Sequence, residues 1–483
     1  MQFQPPVLKG YGAHDIIETV HEEGRMKMVD LELNVKDAFI KEASEKLENI
    51  EEIPAETYKK YNVKRGLRNA NNTGVVVGLT KVGEVIGYSV NEEKEKIPQE
   101  GKLYYRGYDI EDLVSNCEKE NRFGFEEVAY LLLFGELPTE KQLGTFNAIL
   151  GENRQLPANF ATDTILTTPS RNIMNKLQRA ILTMYSYDDN PDSTDIENVV
   201  KQSIHLLGCF PTMVAYAYQA QQAFFFDKSL HLHYPDKDGS TAENILRLIR
   251  PTGEYTDLEA KILDLCLILH AEHGGGNNSS FTTHLVSSSG TDTYSTIAAA
   301  IGALKGPKHG GANIAVIKMI EDLKRNVTDI TDFAQVEDYL SRVLRKKAND
   351  NTGLVYGMGH AIYTLSDPRA KLLKEMARML AIDKDRMESF LLCDFIEKKT
   401  TELRAEITGN DKPMCANVDL YSGFVYDALG IPTEIATPLF AVARLSGWCA
   451  HRLEELTIGK KLMRPAYKSV EPIKEYISID KRK

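Results

Sequence analysis

The amino-acid sequence predicts a mainly α, multi-helix enzyme with minor β structure near the N-terminus. Between about residues 125 and 455, apolar residues recur at helical spacing instead of alternating. The same stretch carries helix-start signatures and glycine stops, whereas strand-like runs are confined to about residues 74–110. No repeat of 30 to 50 residues is visible, which argues against solenoids and propellers.

Taken in order, residues 31–53 are charged and helix-favouring, with Val35, Ala38, Phe39, Ala43, Leu47 and Ile50 at roughly helical spacing. Two β-rich runs follow, Gly74–Thr80 and Gly83–Val90, then Lys102–Ile110; intervening glycines suggest one or two hairpins. Phe125–Phe134 is apolar enough for a buried helix that Gly135 can cap, and Thr139–Gln142 is a capping box for the next. A second box, Thr256–Glu259, opens an apolar helix that Gly274–Gly276 are expected to end. Thr293–Lys305 is an alanine-rich helix stopped by Gly306–Pro307, and another starts at Ala312.

The chain has 483 residues, long enough for a large core, with 58 Lys plus Arg against 69 Asp plus Glu, a formal charge of −11. A nucleic-acid binder normally presents a basic surface, so that partner class is not expected. Apolar runs such as Leu131–Phe134 fall far short of the ~20 residues that cross a bilayer, so no membrane partner is expected either. Asp15, Glu18, Glu22, Glu23 and Asp30 fit neither a secretory signal nor an acid-poor transit peptide, and the expected location is cytoplasmic. The six cysteines, Cys117, Cys209, Cys266, Cys393, Cys415 and Cys449, are scattered without a CxxC pair and read as reduced thiols.

Chemistry-bearing residues gather in four places. His270 and His273, three apart and so expected on one helix face, stand at the end of an apolar helix and directly precede Gly274–Asn278, where glycines let a ligand approach the backbone and asparagines can bind a carboxylate or carbonyl. His309 lies in Gly306–Asn313 just before a helix start, where the helix dipole disfavours imidazolium and favours a neutral hydrogen-bond donor. Gly357–Arg369 combines a glycine turn, His360 and Arg369; with Ile362 at the third-glycine position and no surrounding βαβ unit, a dinucleotide loop is excluded. Asn417–Gly423 sets Asp419 in apolar surroundings that raise a carboxyl's basicity, although an Asx helix cap explains the same residues. Arg444, on an otherwise apolar helix, requires an anion from protein or ligand. His270–Ala–Glu–His273 is not HExxH, P-C-x-x-C is absent, and neither a GxxxxGK[ST] loop nor a GxSxG elbow occurs, so no metal and no cofactor is expected.

The ordered segments HAEHGGGN, GPKHGGAN, GMGHAIYTLSDPR, NVDLYSGFVYDALGIP and FAVARLSGWCAH closely resemble the citrate synthase family, from about residue 100 to RPAY at 464–467. The resemblance implies an almost entirely α-helical homodimer that joins acetyl-CoA and oxaloacetate to give citrate and CoA, the first step of the tricarboxylic acid cycle. It implies a large domain formed by residues 1–310 and 431–483, with an N-terminal extension to about residue 100, and a small mobile domain at 311–430. By matched motif, His309 binds the thioester carbonyl, Asp419 removes a methyl proton, and His360 polarises the oxaloacetate carbonyl. His273, Arg369 and Arg444 hold oxaloacetate, joined by Arg464 from the partner subunit, and Gly357, Met358 and Gly359 contact CoA. Many family members carry a basic residue where this chain has Ala361 or Thr364, which leaves its CoA phosphate ligands open. The alternatives are 2-methylcitrate synthesis from propionyl-CoA and, more remotely, a non-catalytic CoA-binding or regulatory protein on the same fold.

Overall fold

The computed structural model describes residues 33–482, which divide between Val75 and Val76 into two compact units. The first contains α1 (Leu33–Glu48) and α2 (Ala55–Lys60). Helix α1 realises the periodicity expected over 31–53 but stops at Glu48, with Phe39, Ile40 and Leu47 exposed. Residues 31 and 32 lie outside the described residues.

The second unit opens with a three-stranded antiparallel sheet of β1 (Gly83–Val90), β2 (Lys96–Tyr105) and β3 (Tyr108–Asp109), in spatial order β1-β2-β3. The first expected β run is not a strand. A strand requires a ladder partner, and between Val76 and Thr80 none is present; Val76 and Leu79 face solvent. The chain is instead caught by Glu454, which accepts from Thr80 Oγ1 and the Lys81 N–H, both at 2.7 Å.

Fifteen further α-helices follow among the described residues. They are α3 (Ile110–Lys119), α4 (Phe125–Phe134), α5 (Glu140–Glu152), α6 (Ile173–Met184), α7 (Ile196–Phe226), α8 (Thr241–Ile249), α9 (Asp257–His270), α10 (Asn278–Ser287) and α11 (Thr293–Lys305). Then come α12 (Ala312–Asn326), α13 (Phe333–Leu344), α14 (Pro368–Asp383), α15 (Met387–Thr408), α16 (Val418–Ala428) and α17 (Thr433–Glu454). Both capping boxes form, and Gly135 closes α4 at φ 85°, a conformation that side-chain-bearing residues avoid. Ser240 and Glu243 make a third box at α8.

Helix α17 is buried along nearly its whole length and packs on α7, which explains why its sequence is apolar on every face. Trp448, Arg444 and Arg452 on α17 are all 0% exposed, so two guanidinium charges sit within the core. Arg452 is satisfied by Thr293, Ser287, Thr296 and the Thr291 carbonyl. Arg444 is not, and that difference locates the site.

Candidate active site

His360 sits in a loop whose backbone sets its protonation. Gly357 and Gly359 adopt φ of 84° and 85°, where an L side chain is strained, and a Cβ at Gly357 would meet Leu420 Cβ at 2.9 Å. Beyond the turn, the N–H groups of Ile362 and Tyr363 both donate to His360 Nδ1 at 3.1 Å. An atom that accepts twice carries no proton, so Nε2 bears the imidazole N–H and is a donor. Burial, and next the charge of Arg369, hold this imidazole neutral with a pKa of about 4. Its ring stacks on Tyr363 at 4.6 Å and meets His273 edge-on at 5.1 Å.

The glycine turn is zipped to the segment that delivers Asp419. Gly359 N–H donates to the Cys415 carbonyl at 2.7 Å and Asn417 N–H to the Gly357 carbonyl at 2.9 Å. Asn417 also caps α16, accepting from the Asp419 N–H at 3.0 Å, so the Asx cap is real and it orients the following carboxylate. Among the described residues the Asp419 carboxylate accepts no hydrogen bond, and burial raises its pKa to about 6, with Arg369 opposing. That value suits a general base near neutrality.

The two core arginines differ in their partners. Arg369, in the first turn of α14, is held by the helix-capping Asp367 through Nε at 3.0 Å and Nη2 at 2.7 Å. Arg444 donates Nε to the His270 carbonyl at 2.7 Å, and its Nη1 and Nη2 have no partner although buried. Burial lowers its pKa to about 10, and among the described residues it forms no ion pair with a carboxylate. His273 Nε2 and the Tyr363 hydroxyl are likewise buried and unpartnered. Unmet buried polar groups are costly, so this cluster is suited to a ligand that supplies the missing partners.

His273 reaches this cluster because α9 ends at His270, four residues before the glycines. The two histidines therefore do not share a helix face, as their spacing suggested. His270 turns back to the Cys266 carbonyl at 2.6 Å and packs on Phe440, while His273 faces His360 and Tyr363.

His309 lies in the turn before α12, and its Nε2 is 3.0 Å from Ser279 Oγ. Trp448 Nε1 donates to the same oxygen at 3.1 Å, and the single hydroxyl proton of Ser279 is left to serve Asn277 Oδ1 or His309 Nε2. When it serves His309, Nδ1 carries the imidazole N–H. The imidazole is neutral as the sequence suggests, with a pKa of about 4, but burial and then Arg444 are the causes, ahead of any helix dipole.

The N-terminal hairpin has a role that its sequence did not reveal. Gly87 and Gly101 let β1 and β2 approach the loop after His360 so closely that a Cβ at either would meet backbone of Ile362 or Ser366 at 2.6 or 2.1 Å. Thr364 Oγ1 donates to the Gly87 carbonyl and accepts from Gln99 N–H, and Gly101 N–H donates to Ser366 Oγ. The hairpin thus buttresses the loop that carries His360 to Arg369. Lys371, near the same loop, is occupied by Glu100 at 2.9 Å. Arg464 stands apart from this cluster, exposed on the segment after α17.

Comparison with known proteins identifies the family of the chain. A family model described as "Citrate synthase, C-terminal domain" matches residues 70–466. The chain belongs to the citrate synthase family. It is 35% identical to the citrate synthase of Corynebacterium glutamicum, over 82% of this chain and 88% of that one. It is also 33% identical to 2-methylcitrate synthase 1 of the same organism, over 87% and 98%. The ternary complex of citrate synthase from Thermoplasma acidophilum with carboxymethyl coenzyme A and oxaloacetate superposes with a TM-score of 0.70 at 26% identity, covering 87% of this chain and 99% of that one. The expected mainly helical citrate synthase fold is therefore present.

In this citrate synthase family member the candidate residues His273, His360, Arg369, Asp419 and Arg444 are brought together through shared contacts and charges. Sequence reasoning missed Ser279, Trp448, Tyr363 and Glu272. Asp367 had a local signal, an N-cap residue directly before proline.

Proposed function

We propose that this protein condenses acetyl-CoA with oxaloacetate and water, giving citrate and CoA through an enolate and citryl-CoA. The observation that carries the reading is a carboxylate with a pKa of about 6, whose helix-capping neighbour Asn417 is hydrogen-bonded to the turn of a neutral, donor-presenting histidine, beside an arginine with both Nη groups free. A thioester α-proton is weakly acidic, so its removal needs a base and a donor that stabilises the developing enolate oxygen. Asp419 serves as the base and His309 as the donor. His360, with Nε2–H, polarises the ketone of oxaloacetate and protonates the resulting alkoxide.

His273, Arg369 and Arg444 bind the oxaloacetate carboxylates by charge-assisted hydrogen bonds. Gly357, Met358 and Gly359 contact CoA. No cofactor is required, since the thioester is itself a substrate.

Residues 311–430 act as a small domain that closes on the large domain of 1–310 and 431–483, excluding water that would hydrolyse citryl-CoA early. The active form is a homodimer, with Arg464 completing the partner's site. Leu462, Tyr467, Ile473 and Tyr476 near Arg464 are exposed, an apolar stretch suited to cover by a second copy. The location is cytoplasmic, in keeping with six unpaired cysteines and with the absence, among the described residues, of a helix long and apolar enough to cross a membrane.

A thiol-release assay with acetyl-CoA and propionyl-CoA tests the assignment. The expected result is a higher kcat/KM for acetyl-CoA. A higher value for propionyl-CoA makes the protein a 2-methylcitrate synthase, a choice that turns on one methylene worth only about 1–3 kcal/mol. No turnover with either selects the binding-protein alternative.

A further inference from the structure

Glu272, between the two histidines of HAEH, is fully buried with Oε2 unpartnered, while Arg444 is fully buried with Nη1 and Nη2 unpartnered. Arg444 is close enough for Glu272 to be the main influence sustaining its charge, yet the two form no ion pair within 4.0 Å. A carboxylate and a guanidinium buried side by side pair strongly unless something holds them apart. His451 is the main restraint, with the Gly274 N–H a lesser one. Its Nε2 donates to Glu272 Oε1 at 2.9 Å, and its Nδ1 is 2.9 Å from His284 Nε2, whose own Nδ1 meets Glu455 at 2.8 Å.

The proton inventory of this chain is closed. Glu272 and Glu455 are acceptors, so His451 Nε2 and His284 Nδ1 each bear a proton, and the His451–His284 contact needs one more. Burial, and next the His451 charge, keep His284 from protonating; burial also opposes the charge of His451, but Glu272 and Glu454 together outweigh it and hold the His451 pKa at about 9. His451 is thus the imidazolium and His284 the neutral acceptor. His284, His451 and Glu454 each offer a metal-ligating atom within 4.8 Å of the others, but the four ring nitrogens are already committed to this chain. Two glycines make room for this side chain: a Cβ at Gly83 would lie 2.7 Å from Glu272 Cγ, and one at Gly447 would lie 2.4 Å from Oε2.

We propose that His451, backed by His284 and Glu455, is a positioning residue that tethers Glu272 away from Arg444 and so keeps both Nη groups of Arg444 free for a substrate carboxylate. The inference rests on Arg444 binding oxaloacetate, as proposed above. Without the tether, Glu272 swings onto Arg444 and competes with the substrate for the same donors, weakening oxaloacetate binding without touching the chemical step.

Steady-state kinetics and calorimetric titration with oxaloacetate test this on the full-length protein. His451→Phe is expected to raise the oxaloacetate KM and Kd about tenfold with kcat within threefold. His451→Gln, which retains a donor for Glu272, is expected to stay within threefold of wild type. The deciding variant is the double substitution His451→Phe with Glu272→Gln, which removes the competing charge and is expected to return KM to within threefold of wild type. A merely structural role for His451 makes the double variant as poor as the single one or worse, and that result overturns the tether, as does an unchanged KM in His451→Phe. Should His451→Phe not fold, His451→Asn, too short to span to Glu272, carries the same expectations. Arg444→Lys separates the premise from the inference: an unchanged oxaloacetate KM there refutes the binding role of Arg444 itself.

Discussion

Asn417 donates from Nδ2 to the Gly359 carbonyl at 2.9 Å, joining the residue two before Asp419 to the residue before His360. One side chain thereby caps α16 and fixes the distance between the proposed base and the proposed electrophilic donor. Asn417→Ala removes both bonds. Loss of a cap costs about 1 kcal/mol, and small misplacements of reacting groups are expensive in rate. The expected outcome is a modest fall in Tm together with a kcat reduced at least tenfold. A lower Tm with unchanged kcat shows that the bond serves stability alone.

The pH profile follows from Asp419. Burial raises its pKa to about 6, so the carboxyl is neutral and useless as a base below that pH and ionised above it. Activity therefore rises with pH and levels off above about 6. His309 and His360, both at about 4, stay neutral throughout and add no limb near 6.5. A kcat/KM profile measured from pH 5 to 8 should show one acid limb. Asp419→Asn should lower kcat by two or more orders of magnitude while oxaloacetate still binds by calorimetry; unchanged turnover in that variant sinks the assignment.

Stability has its own pH dependence at Glu259. This carboxylate completes the capping box of α9, pairs with Arg250 at 2.8 Å and takes a hydrogen bond at 2.9 Å from Lys384, the residue that ends α14. Burial opposes its charge, but Arg250, the Thr256 N–H and Lys384 prevail and hold its pKa at about 2. A carboxyl depressed on folding contributes stability that is complete above its unfolded value of about 4.3 and is lost as pH falls toward 2. Glu259→Gln should lower stability by roughly 2–3 kcal/mol at pH 7, and denaturant melts of the two proteins should converge only as pH approaches about 2.

The parts legible in the sequence are those fixed by near neighbours. The capping boxes at Thr139 and Thr256 span three residues, and the Asp367–Arg369 pair spans two, so each can be read from adjacent letters. The histidine, aspartate and arginine segments were likewise visible as short motifs, and their order carried the family resemblance. What escaped depends on partners far apart in the chain. Thr364 meets Gln99 across 265 positions and His451 meets Glu272 across 179. Gly74–Thr80 looked like a strand because its residues favour one, but a strand is decided by its neighbour, and Glu454 claims the end of that segment instead. The neutrality of His309 was foreseen for a secondary reason, since burial cannot be read from local sequence.

Arg464 provides the test of assembly. It is exposed, and the apolar residues beyond it, Tyr467, Ile473 and Tyr476, are among the most exposed of the molecule. If this segment reaches a second copy, each active site draws Asp419 from one subunit and Arg464 from the other. Arg464→Ala and Asp419→Asn homodimers should then both be nearly inactive. A mixed dimer of the two, however, contains one site in which both residues are native. Co-refolding the variants in equal amounts places about half of the dimers in the mixed form, each with one working site. Roughly a quarter of wild-type activity should therefore return on mixing, by binomial pairing of identical interfaces. Mass spectrometry of tagged subunits establishes that exchange has occurred; exchange without recovered activity confines Arg464 to its own chain.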